Sequence, residues 1–386
     1  MRTLVALLAV GCLPGCDKLL GIGDPKPADQ GDARSDDGGP TIDSSPPCVT
    51  AAAFKPEESF AIGATGTALV VAQLDRMPGR DVAIAVGDGV QIMSGNAAGT
   101  FSRGMKITTT TTAADGLVSD DFDIDGDADL VVWDEGGATM TAIRQNSTVT
   151  PSTYLAEQPL TGPFAGIQGT LVGFIDGALV PDLVVKDAAG AVAYTARLGT
   201  PGTFGREPSL IPGVGGGEAL VALGQLDGQG GTDAAFVAVG GDVKIAANAP
   251  AFSMAATVAS EARDRCVGFG KLDEDAAIDM IVGTAAGGVI YRGGAGGFSK
   301  VSDNIASVSG PTVQVIDVNS DGKDDLVLAN RIVYQCAPAA AGGPGVFSQF
   351  EDLDATGPAL MADITGDGKP DLLRIAGTEL KVRVQQ

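Results

Sequence analysis

The 386-residue chain contains no histidine and one tryptophan, and aromatic residues make up only 5% of it. Without imidazole there is no Ser-His-Asp or Cys-His nucleophile, no His-ligated metal centre and no histidine proton shuttle. Basic side chains are scarce as well: 25 Lys and Arg stand against 48 Asp and Glu, a net charge of −23. That balance argues against nucleic acid as a partner and against direct adsorption to anionic lipid. Helical periodicity is scarce after residue 20, and no apolar run beyond the N-terminus approaches the 18 or so residues of a membrane-spanning helix.

What the chain has in abundance is glycine, 56 residues of it, and clustered aspartate. The stretch "DFDIDGDAD" places five carboxylates within nine residues, Asp121, Asp123, Asp125, Asp127 and Asp129. A loop so charged repels itself unless a counter-ion enters. Calcium fits, because it takes six to eight hard oxygen ligands, and Asp-x-Asp-x-Asp-Gly supplies oxygens at positions 1, 3 and 5 with a glycine turn at 6. Position 7 adds a backbone carbonyl. The pattern recurs as Asp317, Asn319, Asp321, Lys323 and Asp325 in "DVNSDGKDD", and as Asp363, Thr365, Asp367, Lys369 and Asp371 in "DITGDGKPD". About three Ca2+ sites are therefore expected.

An EF-hand would carry an acidic residue at position 12. Here position 12 is Val132, Leu328 or Arg374, and a branched apolar run follows each loop, which predicts a β-hairpin instead. The last aspartate of the loop recurs before such a run at Asp81, Asp129, Asp182, Asp233, Asp279, Asp325 and Asp371. Their separations, by subtraction, are 48, 53, 51, 46, 46 and 46, the length of a unit of about four short strands. The expected fold is all-β: a seven-bladed β-propeller with four strands per blade. The loops ending at Asp81, Asp182, Asp233 and Asp279 keep the hairpin but have lost most ligands. In "KLDEDAAID" the ammonium of Lys271 is expected to stand among Asp273, Asp275 and Asp279 in place of an ion.

The last unit ends after its third strand, at Gln386, whereas "AFKPEESFAIG" before the first unit looks like an orphan fourth strand. Residues 53–62 are thus expected to complete blade 7 and remove an exposed edge. Trp133, after a strong loop, is expected to pack in the core; a sugar-stacking platform is the alternative.

Asp-x-Asp-x-Asp-Gly-x-x-Asp-Leu-Val hairpins combined with Gly-x-Phe turns such as "AGTFSRGMKI" and "PGVFSQFEDL" resemble the FG-GAP/VCBS-type repeats of integrin-α-like β-propellers, over residues 51–386. That resemblance implies calcium as a structural ion and a face of loops presented to a protein or glycan partner.

The N-terminal "MRTLVALLAVGCLPGC" resembles a bacterial lipoprotein signal, residues 1–16, with Cys16 as the lipidated residue. The alternative is an ordinary signal peptide cleaved further along. Residues 17–50, rich in Pro, Gly, Ser and Asp, read as a flexible tether. These features imply export across the inner membrane and anchoring in the cell envelope, with membrane contact through the lipid alone, and a monomer. Of the remaining cysteines, strand direction puts Cys336 on the face where the segment after Cys48 begins, so a Cys48–Cys336 disulfide is expected, with three free thiols as the alternative and Cys266 as a small buried hydrophobe. Two functional classes remain: a calcium-stabilised binding or adhesion module, and a propeller-scaffold lyase or hydrolase acting on polysaccharide. No catalytic residue stands out.

Overall fold

The computed structural model describes Val10–Gly11 and most of residues 51–386; the longest connecting stretches outside the described residues are 197–203, 306–312 and 338–345. The leader cysteine Cys16, the tether, Cys48 and the side chain of Cys336 also fall outside them, so the expected disulfide does too. Among the described residues there is no α-helix, and none long and apolar enough to cross a membrane.

Seven small antiparallel sheets of four strands form the ring. Blade 1 runs from its inner strand outward as Gly66–Ala72, Asp81–Val86, Gly89–Gly95 and Phe101–Thr108, with the two-residue strand Val10–Gly11 against its inner edge. Blade 2 comprises Gly116–Asp120, Asp129–Trp133, Met140–Ile143 and Gln158–Leu160, and blade 3 Ile167–Gly173, Asp182–Asp187, Gly190–Ala196 and Phe204–Leu210. Blade 4 comprises Ala219–Gly224, Asp233–Val237, Val243–Asn248 and Phe252–Val258, and blade 5 Val267–Gly270, Asp279–Thr284, Gly287–Arg292 and Ser299–Lys300. Blade 6 is built from Val313–Ile316, Asp325–Leu328, Arg331–Ala337 and Val346–Asp352.

Blade 7 closes the ring as the orphan strand predicts. Ala359–Ala362, Asp371–Ala376 and Glu379–Arg383 come from the C-terminus, and the outer strand is Glu58–Ala61, paired with Glu379–Val382. The pairing extends outward through a Phe54–Gln385 bridge and a 2.8 Å bond from the Lys55 N–H to the Val384 carbonyl.

Each blade is buried on both faces, which explains why the second strands read as unbroken apolar runs. In blade 1, Leu69, Val71, Val82 and Ile84 join the cluster that contains Leu360 and Leu373 of blade 7. The alternate residues Ala68, Val70, Ala83 and Ala85 join Leu117, Val118 and Val131 of blade 2. Trp133 is in this second cluster, only 6% exposed, and lies over Gly116, where a Cβ would come within 2.0 Å of the indole. Core packing is its role. Cys266 is a buried cysteine outside any disulfide, in the cluster between blades 5 and 6.

Candidate functional site: the hairpin loops

The turns between first and second strands share one face of the ring, and all seven recurrent aspartates sit there, 0–2% exposed. Their geometry explains the recurrence. The Oδ2 of Asp81, Asp182, Asp233, Asp279, Asp325 and Asp371 accepts the backbone N–H seven residues earlier, at 2.7–3.0 Å. The Oδ1 of Asp81, Asp129, Asp233, Asp279, Asp325 and Asp371 accepts an N–H of the third strand or the residues just after it, at 2.8–3.0 Å. One carboxylate thereby clamps the hairpin loop to the strand beyond it, in rich and degraded loops alike.

Loop position 2, whose N–H is the clamped one in six of the seven blades, is always a large apolar residue: Leu74, Phe122, Ile175, Leu226, Leu272, Val318 and Ile364, each 9% exposed or less. It plugs the core beneath the loop. This alternation of buried plug and outward oxygen is present in the sequence, where apolar residues are too common for it to stand out as the acids do.

The rich loops are wound alike. Asp121 accepts the N–H groups of Asp125 and Gly126, and Asp317 those of Asp321 and Gly322, at 2.8–3.1 Å. Position 5 accepts the N–H of position 7 in all three, at 2.9–3.0 Å. Position 4 is left-handed in each, with φ of 60° at Ile124, 60° at Ser320 and 83° at Gly366.

Blade 2 differs in one bond. The Phe122 N–H goes to the Asp120 carbonyl rather than to the clamp, and Asp129 Oδ2 is left buried with no hydrogen-bond partner. Ligand atoms of Asp121, Asp123 and Asp129 lie within 4.8 Å of one another. Burial pushes the Asp129 carboxyl up to about 8, partly offset by the Gln145 N–H and reinforced by Asp123, Asp125 and Asp121. Burial also raises Asp121 and Asp125. Arg144, at the register that Arg292 takes in blade 5, stands 3.5 Å from Asp123 but leaves the Asp129 oxygen unbonded. A buried orphan oxygen among carboxylates is costly without a cation beside it, and hard oxygens suit Ca2+. Asp325, in blade 6, is pushed up to about 7 by burial, although both its oxygens are bonded.

In blade 5 the acids Asp273, Asp275 and Asp279 also cluster within 4.8 Å. The cation there is Arg292, whose Nε lies 2.6 Å from Asp273, and not the expected Lys271. Lys271 faces blade 6, its backbone N–H bonded to Asp324 at 2.7 Å. The reason is register: Arg292 ends the third strand, directly before the Gly293 N–H held by Asp279.

Neighbouring loops are stitched into a ring. Arg80 N–H bonds the Ile364 carbonyl, Thr232 the Phe174 carbonyl, and Gln335 the Leu272 carbonyl, at 2.8–3.2 Å. Between blades 1 and 2 the link is ionic: Arg76, itself at φ 61°, forms a bidentate pair with Asp127 at 2.8 and 2.9 Å. The loop tips beside this pair are apolar, with Met77 61% and Ile124 48% exposed.

No protein-family model matches the chain, and no curated protein does. Solved structures do match in fold. The N-terminal part of BBS1, crystallised in complex with ARL6, aligns with a TM-score of 0.57 at 14% identity over 87% of this chain and 98% of that one. An Agrocybe aegerita lectin that recognises non-reducing terminal N-acetylglucosamine aligns at 0.54, 14%, 81% and 92%. The WD40 domain of Toxoplasma gondii coronin aligns at 0.54, 12%, 88% and 88%. At these identities the likeness is one of fold, and the chain is a seven-bladed β-propeller.

Proposed function

We propose that the protein is an FG-GAP/VCBS-type propeller, anchored in the cell envelope through Cys16, that uses calcium to organise one face of loops for binding a protein or glycan partner. The blade 2 loop is the observation that carries this reading. It combines an orphaned Asp129 oxygen beside Asp121 and Asp123 with an Ile124 that is both solvent-exposed and left-handed. A β-branched residue in that conformation is strained, and strain retained at an exposed tip is characteristic of recognition sites. Met77 and the Arg76–Asp127 pair extend the tip into a two-loop platform with an acidic rim. Propellers that match this fold bind a protein partner or a terminal sugar, in keeping with either ligand class.

The alternative is a propeller-scaffold enzyme acting on polysaccharide. Binding is favoured because the acids that the loop face brings together are already engaged, the recurrent aspartates as clamps and Asp127 and Asp273 in ion pairs, and do not stand as the separated acid–base pair that glycoside hydrolysis needs. A glycan array and envelope-protein pull-downs with the purified protein, each in calcium and in EDTA, test the reading. Retention of a ligand in calcium, lost in EDTA and in Ile124→Asn, is expected. Turnover of a polysaccharide abolished by a single acid substitution would replace it with the enzyme.

A further inference from the structure

A cleft of about 450 Å3 opens where blade 7 meets the end of the outer strand of blade 6. Its lining is mixed: Phe54, Pro56, Leu353 and Leu372 form an apolar side, and the charged groups are Lys55, Arg374 and Arg383 against Glu57 alone. In a chain with nearly two acids for every base, this local excess of cations is anomalous.

The carboxylates nearby are shared. Glu57 accepts from Arg374, at 2.9 and 2.5 Å, and pairs with Lys381 at 3.2 Å. Glu351 takes Arg383 at 2.7 Å, and the Arg383 guanidinium stands 4.9 Å from the Phe54 ring centroid. Four cations thus face two carboxylates, and Lys55 forms no ion pair among the described residues. Arg374, 8% exposed, lines the cleft with its guanidinium held by Glu57. The volume lies in the range of small-molecule sites, which combine apolar walls with a few convergent polar groups.

We propose that this cleft binds a small organic carboxylate with an apolar body, an aromatic or medium-chain aliphatic acid. Its carboxylate meets Lys55 and Arg383, and its body lies on Phe54, Pro56, Leu353 and Leu372. The leucines and proline offer no donors to a sugar's hydroxyls, which disfavours a uronic acid, and an inorganic anion would leave the apolar walls uncovered. One side of the cleft comes from the N-terminal segment and the other from blades 6 and 7, so a bound acid bridges the closure of the ring. A ligand that binds only the closed ring raises its stability by mass action.

The test is a set of thermal melts and calorimetric titrations of the purified protein with benzoate, phenylacetate and octanoate, against benzamide, phenylacetamide, glucuronate and inorganic phosphate. The carboxylates with apolar bodies are expected to raise the melting temperature in a concentration-dependent way. The amides, glucuronate and phosphate should bind at least tenfold more weakly. Lys55→Gln, which leaves the Glu57 and Glu351 pairs intact, should keep the unliganded melting temperature while lowering carboxylate affinity about tenfold. Equal responses to acid and amide, an equal response to phosphate, or undiminished binding by Lys55→Gln would each overturn the proposal.

Discussion

At the scale of single residues, the same side chain type performs two tasks in this chain, and position within the loop decides which. The ninth-position aspartates hold backbone N–H groups from two directions, so Asp325→Ala would bury two unsatisfied donors at about 1–3 kcal/mol each. A loss of about 3 kcal/mol or more in denaturant unfolding is expected, in calcium and EDTA alike. By contrast, Asp121→Asn should matter mainly when calcium is present. Ile124 is the opposite case, a residue the fold would be better without: Ile124→Asn, tolerant of φ near 60°, should raise stability by about 1 kcal/mol. An unchanged or lower melting temperature would remove the strain argument. The acidic ladder and its period were legible in the sequence because charge at fixed spacing is conspicuous. The plug at position 2 is equally regular but is spelled in the commonest apolar residues, and the orphaned Asp129 oxygen depends on where one N–H points, which no spacing reveals.

At the scale of elements, the repeat of hairpin, turn and Gly-x-Phe strand was readable because each unit repeats the same local chemistry. Phe101 and Phe204 open outer strands, as the turns suggested. The closing strand was readable for a different reason: the last unit lacked a piece and the first had one to spare. Deleting residues 51–62 should remove Glu58–Ala61, the Glu57 ion pairs and the cover of Glu379–Val382. A lower melting temperature together with concentration-dependent oligomers is expected, because an unpaired edge templates association. A monomer of unchanged stability would mean that closure contributes nothing. What could not be read were contacts made between blades. Arg76 reaches Asp127 because the facing of adjacent blades is set by the ring and not by local sequence, and within blade 5 Arg292 rather than Lys271 meets Asp273 because strand register brings the end of the third strand beside the loop. The same holds for the cleft at the closure, whose walls lie about 300 residues apart in the chain.

At the scale of the whole molecule, charge dominates. Burial pushes Asp129, Asp325, Asp81 and Asp279 up to about 8, 7, 6 and 6, whereas an unfolded aspartate titrates near 4. Between about pH 8 and pH 4 the metal-free native chain therefore binds protons that the unfolded chain does not, and its stability rises as pH falls. In EDTA, melting at pH 6 is expected above melting at pH 8. Calcium competes with those protons, so its own stabilising increment should grow from pH 6 to pH 8. Extracellular calcium modules bind at about 10⁻⁴–10⁻³ M, and at ten times the dissociation constant one site adds about 1.4 kcal/mol. The most direct test is a calorimetric calcium titration of the purified protein at pH 8, beside the same titration of the Asp121→Asn, Asp123→Asn double variant. Saturable binding that loses one site in the double variant is the expected result; absence of binding in the wild-type chain, or identical isotherms for the two, would contradict a calcium-organised loop face.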